Sequence, residues 1–121
     1  QKEKKIKTTK IINMKPSFYE EFNKKRYFYR LESLKYFNNI LIGDLLEVIA
    51  FVNCLNGYAS NKFDIDKSYE FESFECKLVS QHKKINIAIK FFSENKIFYY
   101  DKLEATVIAA QINKIISKLE V

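Results

Sequence analysis

An aspartate followed three residues later by a glutamate occurs twice in this chain, each time before an apolar segment. The pairs are Asp44 with Glu47 and Asp101 with Glu104. An acceptor at a helix N-cap followed by a second carboxylate is a variant of the capping box, and both charges suit the positive end of a helix. The sequence therefore predicts two helices. The first is apolar nearly all round and should be buried, with Gly57 as its C′ residue. The second is amphipathic and should run to about residue 119.

Much of the remaining chain alternates apolar and polar residues, which is typical of β-strands. We expect strands over residues 26–34, 36–42, 69–79, 85–92 and 96–100. The apolar alternation of the third segment slips by one near Ser73, which indicates a bulge, and Phe63 and Ile65 are expected to begin that hairpin. Residues 4–14 are expected to form a strand or an arm, and residues 18–23 a helical turn after Pro16.

The two predicted helices and the strands before them suggest an internal repeat. A shift of 57 residues places Ile40 on Ile97 and Asp44 on Asp101. This favours a strands-then-helix unit repeated over residues 24–57 and 81–119, although two capped helices would share some identities by chance. We expect one α+β domain over residues 1–121, with an antiparallel sheet of about five to eight strands, two main helices on one face and residues 1–16 as a basic arm.

Positive charge is concentrated at the start of the chain. The net charge is +6, and residues 1–35 carry 11 basic against 4 acidic side chains, whereas residues 36–121 carry 10 against 11. A localised basic region favours a polyanionic partner, which is nucleic acid, an anionic membrane surface or an acidic protein. Codon bias is the alternative explanation, because Lys, Ile, Asn, Phe and Tyr are all abundant.

The residues that enzymes use most often are scarce. His82 is the one histidine and lies in a polar connection, and two glycines leave no glycine-rich phosphate loop. Cys54 and Cys76 lie in apolar contexts and are expected to be buried thiols, and so few cysteines give no secreted disulfide framework. Asp64 and Asp66 could hold Mg²⁺, but a solvated acidic stretch is the simpler interpretation. We therefore expect no catalytic residue, no cofactor and no metal.

The most informative segment is the sequence KKRYFYR. It comprises Lys24, Lys25, Arg26, Tyr27, Phe28, Tyr29 and Arg30. On a strand, its even-numbered residues point to one face and its odd-numbered residues to the other. Cations that neutralise phosphates and rings that stack on bases are what single-stranded nucleic acid requires. The alternative is an ordinary amphipathic strand, with the tyrosines in the core and the cations in solvent.

A second set of rings could serve the same purpose. It consists of Phe91, Phe92, Phe98, Tyr99 and Tyr100. Adjacent rings on a strand point to opposite faces, so a sheet covered by helices on one face only would leave some of them exposed. Burial of both faces in the core is the alternative.

Strand-rich segments that end in a helix, twice in one short basic chain, resemble the Whirly, PUR and kinetoplast guide-RNA-binding group. The resemblance covers about residues 24–119 and concerns topology and residue character. It implies sheets with exposed aromatic and basic residues that bind single-stranded DNA or RNA, often in oligomers. The candidate residues come from KKRYFYR itself and not from a family motif.

The function predicted from the sequence is non-catalytic binding of single-stranded DNA or RNA, with the chain forming a homo-oligomer. The rival is a protein–protein interaction module, such as an inhibitor, an immunity protein or an assembly subunit, whose aromatic residues anchor a protein partner. A third class is a peripheral protein on anionic lipid. No apolar run reaches the roughly 20 residues that cross a bilayer, so we expect no integral membrane segment and favour an intracellular location.

Overall fold

Strands followed by a helix occur in two successive groups. The computed structural model describes residues 12–21 and 24–119, and of residues 13, 15–21 and 24–27 it describes the backbone alone. The first group is β1 (Asn13–Glu21), β2 (Lys24–Ser33), β3 (Phe37–Gly43) and α1 (Leu45–Ala59). The second group is β4 (Ser68–Glu70), β5 (Phe74–Gln81), β6 (Lys84–Phe91), β7 (Lys96–Tyr100) and α2 (Lys102–Leu119). The predicted α+β class is confirmed.

The strands form two antiparallel meanders instead of the single sheet that we expected. One sheet has the order β1-β2-β3 and the other β4-β5-β6-β7. The β5–β6 ladder is regular from Phe74 opposite Phe91 to Gln81 opposite Lys84. The β2–β3 ladder is interrupted by two register shifts, and Asn39 in β3 has a φ of 66°. The first sheet is therefore the more irregular of the two.

Both helices begin as predicted, but their first turns differ. The Oδ1 atom of Asp44 accepts a hydrogen bond from the Glu47 N–H at 3.0 Å, and Asp101 accepts from the Glu104 N–H at 2.8 Å. The Oε1 atom of Glu104 also accepts from the Asp101 N–H at 3.2 Å, which completes a reciprocal capping box. In α1 the Glu47 carboxylate bonds to Ser73 instead of to the N–H of its own N-cap residue.

The carboxylate of Glu47 links the first group to the turn between β4 and β5. Its Oε1 atom accepts hydrogen bonds from the N–H of Ser73 at 2.7 Å and from the hydroxyl of Ser73 at 2.9 Å. Gly43 makes room for this contact, because a Cβ atom there would lie 3.0 Å from the Ser73 Oγ atom. Its φ of 124° also favours glycine.

One apolar cluster joins both sheets and both helices, and Phe37 of β3 lies at its centre. The Phe37 ring is fully enclosed and makes edge contacts with Phe51 of α1 and with Phe91, Phe98 and Tyr100 of the second sheet. The ring centroids are 6.1–6.2 Å apart, which is a favourable T-shaped spacing. The two strands-then-helix groups therefore share their core.

Three local predictions are wrong. Residues 69–79 form two strands instead of one bulged strand, because the slip in alternation marks the β4–β5 turn, in which the Phe71 N–H donates to the Phe74 carbonyl at 2.8 Å. Phe63 and Ile65 lie in the preceding loop and not in the hairpin. Gly57 lies inside α1, which continues to Ala59 because Ser60 caps it.

The N-terminal predictions are resolved in part. The helical turn expected over residues 18–23 is wrong, because β1 extends to Glu21; residues 22–23 lie outside the described residues. Pro16 is compatible with β1 because β1 is an edge strand of the described sheet. Residues 4–11 of the predicted strand or arm also lie outside the described residues, whereas Asn13 and Met14 belong to β1.

Candidate nucleic-acid interface

The β4–β7 sheet is covered by α1 on one face. Ile87, Ile89 and Phe91 of β6 are buried on that face, and the Phe51 ring of α1 lies 5.5 Å from the Phe91 ring. Side chains alternate along a strand, so the residues between them point away from α1. We call this opposite side the outer face. It carries Glu75, Lys77 and Val79 of β5, Ala88 and Lys90 of β6, and Ile97 and Tyr99 of β7.

A groove of about 250 Å³ crosses the outer face. Ala88 forms its floor and is 5% exposed, and the small side chain leaves room between its cross-strand neighbours Lys77 and Tyr99. Tyr99 is 45% exposed, so one side of its ring is open to solvent. An open ring beside lysines can stack on a base while the cations contact phosphates.

The charge in this groove is mixed. Lys77 is exposed and lies opposite Ala88 in the ladder, whereas the half-buried Lys90 lies opposite Glu75. Glu75 therefore offsets part of the positive charge of Lys90 on the same face. Lys77 is the cation of this groove that is best placed to meet an anionic ligand.

The predicted basic strand lies in the first sheet. The backbone of β2 pairs with β1 at Lys24, Lys25, Arg26 and Tyr27. For these four residues the structure describes the backbone alone. The described residues of the motif are Phe28, Tyr29 and Arg30, all half-buried.

The described part of the motif follows the expected alternation. Tyr29 packs against the core on the same face as the buried Leu31. Its ring is therefore less available for stacking than we expected. Arg30 lies on the opposite face, and its Nη1 atom donates to Asn39 Oδ1 at 3.3 Å. This bond ties the half-buried Arg30 side chain of β2 to Asn39 of β3.

The second set of aromatic residues divides between core and surface. Phe91 and Tyr100 are buried, and Phe98 packs against the core. Tyr99 is exposed on the outer face, and Phe92 is 40% exposed at the β6–β7 turn. Of the five predicted rings, Tyr99 is therefore the one that the outer face presents to a ligand.

Lys77 and Lys90 are candidate residues that the sequence did not single out. The alternation of β6 places Lys90 on the face away from the core, so its position could have been predicted from the sequence. The position of Lys77 beside Ala88 could not, because it depends on the pairing of β5 with β6.

The buried ionisable groups serve the core. The thiol of Cys54 in α1 interacts with the thiol of Cys76 in β5. This interaction lowers the pKa of Cys54 against the effect of burial, and it raises the pKa of Cys76 together with burial. Burial also raises the pKa of Tyr58, with smaller contributions from Asp101 and Glu104. The Tyr58 hydroxyl donates to the Ile85 carbonyl at 2.6 Å.

The acidic residues proposed as a cation site form a turn. Asp64 Oδ1 accepts from the Asp66 N–H at 3.0 Å, and Asp64 Oδ2 lies 3.8 Å from the Lys67 Nζ atom. Among the residues that the structure describes, no group of three or more His, Cys, Asp or Glu side chains is arranged to hold a metal ion. Neither of the described helices is long and apolar enough to cross a membrane.

Comparison with known proteins assigns no family. No protein-family model matches the chain, and no curated protein and no solved structure matches it. The resemblance to the Whirly, PUR and guide-RNA-binding group therefore stays a prediction.

Proposed function

We propose that this protein binds single-stranded DNA or RNA without catalysis, with the outer face of the β4–β7 sheet as the surface that meets the bases. The carrying observation is the groove in which Lys77 and Lys90 flank the half-exposed ring of Tyr99. Because α1 packs on the other face of this sheet, it does not cover the groove. Stacking is sequence-tolerant, since every base has an aromatic face.

The basic strand β2 supports the same proposal from the first sheet. Lys24, Lys25, Arg26 and Arg30 are its four cations, with Tyr27, Phe28 and Tyr29 as its rings. We propose phosphate contacts for the four cations and base stacking for Tyr27 and Phe28. Tyr29 is the weakest stacking candidate, because its ring packs against the core.

The test is fluorescence anisotropy with a labelled single-stranded 20-mer, first DNA and then RNA, at about 50 and 200 mM salt. Affinity should fall steeply with salt. Replacing Lys77 and Lys90 together by Ala should reduce the salt slope by about 1.4, because each phosphate contact to a single strand contributes about 0.7. Tyr99→Ala should lose about 1–3 kcal/mol of binding free energy.

Matched variants separate these contacts from general charge and ring effects. Lys114 and Lys118, both exposed on α2, provide the same loss of two charges away from the sheet. Phe92→Ala removes an exposed ring that lies at a turn. These controls should leave the affinity within about twofold of the wild type.

The four cations of β2 are tested as a set. Replacing Lys24, Lys25, Arg26 and Arg30 by Ala should reduce the salt slope by up to about 2.8. If neither this variant nor the Lys77 and Lys90 variant changes the affinity or its salt dependence, the proposal is wrong. Absence of binding at low salt overturns it as well.

A further inference from the structure

A second groove lies at the end of the molecule where the β5–β6 hairpin meets α1 and α2. Its larger part has a volume of about 540 Å³ and its smaller part about 190 Å³. Tyr58, Ile85 and Lys102 line both parts, so the two parts lie side by side. The hydrogen bond from Tyr58 to the Ile85 carbonyl fixes the hairpin against α1 and gives the groove a rigid floor.

Aliphatic side chains are unusually exposed in this groove. Ile65 is 56% exposed, Ile85 45% and Leu103 73%. Three large exposed aliphatic residues around two adjoining concavities are typical of a site that another molecule covers. They cannot stack on bases as aromatic rings do, so this groove differs chemically from the one on the outer face.

Lysines surround the aliphatic residues. Lys83 and Lys84 contribute from the hairpin and Lys102 from the start of α2. Lys102 is held in place, because its Nζ atom donates to Asn61 Oδ1. The one acidic side chain in the larger part of the groove, Asp101, is used to cap α2 through the Glu104 N–H. The excess of positive charge is complementary to an acidic ligand.

The two-residue turn at the tip of the β5–β6 hairpin holds its residues in a conformation that Asn and Gly adopt more easily. His82 and Lys83 have φ values of 51° and 64°, a pair typical of a type I′ turn, which favours Asn-Gly. The other described residues with positive φ are Asn39, Gly43, Asn61 and Asn95. Across residues 12–21 and 24–119, Asn or Gly thus occupies every position with such a conformation except this tip. Lys83, one of these two exceptions, lines the groove.

We propose that this groove docks a protein segment in which acidic residues alternate with aliphatic ones. The aliphatic side chains of the segment cover Ile65, Ile85 and Leu103, and its carboxylates pair with Lys83, Lys84 and Lys102. Such a segment would use both the exposed aliphatic side chains and the lysines of the groove, whereas a nucleic acid would use the lysines alone. The proposal does not depend on nucleic-acid binding by the outer face.

The test uses the full chain and a fluorescein-labelled 12-residue synthetic peptide of glutamate, leucine and isoleucine, with a second peptide in which glutamine replaces glutamate. We expect saturable binding of the acidic peptide in the anisotropy of the label, with amide shifts in NMR spectra confined to the groove. Leu103→Ser should weaken binding about tenfold, because a large exposed aliphatic contact is lost. Replacing Lys83 and Lys84 by Ala should weaken it and flatten its salt dependence.

Leu46→Ser is the matched control. Leu46 occupies the second position of α1, as Leu103 does in α2, and is 76% exposed. It does not line the groove, so its variant should bind the acidic peptide as the wild type does.

Four outcomes would each overturn the proposal. The first is no saturation at about 1 mM peptide, and the second is equal affinity for the glutamine peptide. The third is a loss of affinity for a single-stranded 20-mer in the Leu103→Ser variant, which would make the groove a nucleic-acid surface. The fourth is a dimer in sedimentation equilibrium that Leu103→Ser dissociates, which would make a second copy the occupant.

Discussion

Lys83→Gly should stabilise the protein, although it removes a side chain and introduces the most flexible residue. Lys83 has a φ of 64°, a left-handed conformation that costs an L-residue about 1–2 kcal/mol. Glycine adopts it without that cost. The greater entropy of glycine in the unfolded chain opposes the gain by about 0.5–1 kcal/mol. We therefore expect a net stabilisation of about 0.5–1 kcal/mol.

The expected change is measurable in thermal unfolding. Unfolding entropy is about 2.1 cal/mol/K per residue, so 121 residues give about 250 cal/mol/K. A stabilisation of about 0.5–1 kcal/mol then raises Tm by about 2–4 °C. Urea unfolding followed by circular dichroism gives the free energy independently, and the slope m should not change.

Lys84→Gly is the matched control, because it removes the same charge one residue later. Lys84 begins β6 and does not have a positive φ, so glycine there should destabilise the protein by about 0.5–1 kcal/mol. The two variants should therefore change the free energy of unfolding in opposite directions. If Lys83→Gly is no more stable than the wild type, the strain argument for the hairpin tip is refuted.

Four further substitutions test the core, the two glycines and the buried phenol. Phe37→Ala should lose about 3–5 kcal/mol in urea unfolding, because its ring contacts both helical and sheet residues of the core; a loss below about 1.5 kcal/mol would contradict its central position. Gly57→Ala should gain up to about 1 kcal/mol, because Gly57 lies inside α1 and an added Cβ has nothing within 4 Å, whereas Gly43→Ala should be destabilising; equal signs in thermal unfolding would speak against this. Burial and then Glu104 raise the pKa of the Tyr100 phenol. The unfolded state therefore releases this proton first, and the stabilisation it gives is present below about pH 10 and is lost as the pH rises above it. Tyr100→Phe should flatten this alkaline decline in urea unfolding between about pH 9 and 11, and an unchanged slope would count against the assignment.

The helices and the last two strands were predictable because their signals are short-range. Asp44 and Asp101 both cap helices, and β7 spans the five residues that its alternation predicts. The break between β4 and β5 was missed because it depends on tertiary contacts. A slip in alternation near Ser73 fits a bulge as well as a turn, and the hydrogen bonds from Ser73 to Glu47 form only when α1 packs beside β5.

The candidate interface was predictable at the level of residue type but not of location. Tyr99 was named from its sequence, but its partners Lys77 and Lys90 lie 22 and 9 residues away and meet it only through the pairing of β5, β6 and β7. The alternation of β2 already placed Tyr29 with Leu31. Only the structure shows that this shared face is the core.

The position of Phe37 between the two groups of strands predicts how the protein would behave if it were divided into two fragments. Cutting the loop between α1 and β4 would leave each fragment with half of the aromatic cluster uncovered, because Phe37 lies on one fragment and Phe91, Phe98 and Tyr100 lie on the other. Each fragment alone should aggregate or stay unfolded. Mixed together, the two should reassemble by complementation, with the aromatic contact of Phe37 as the step that commits them to each other.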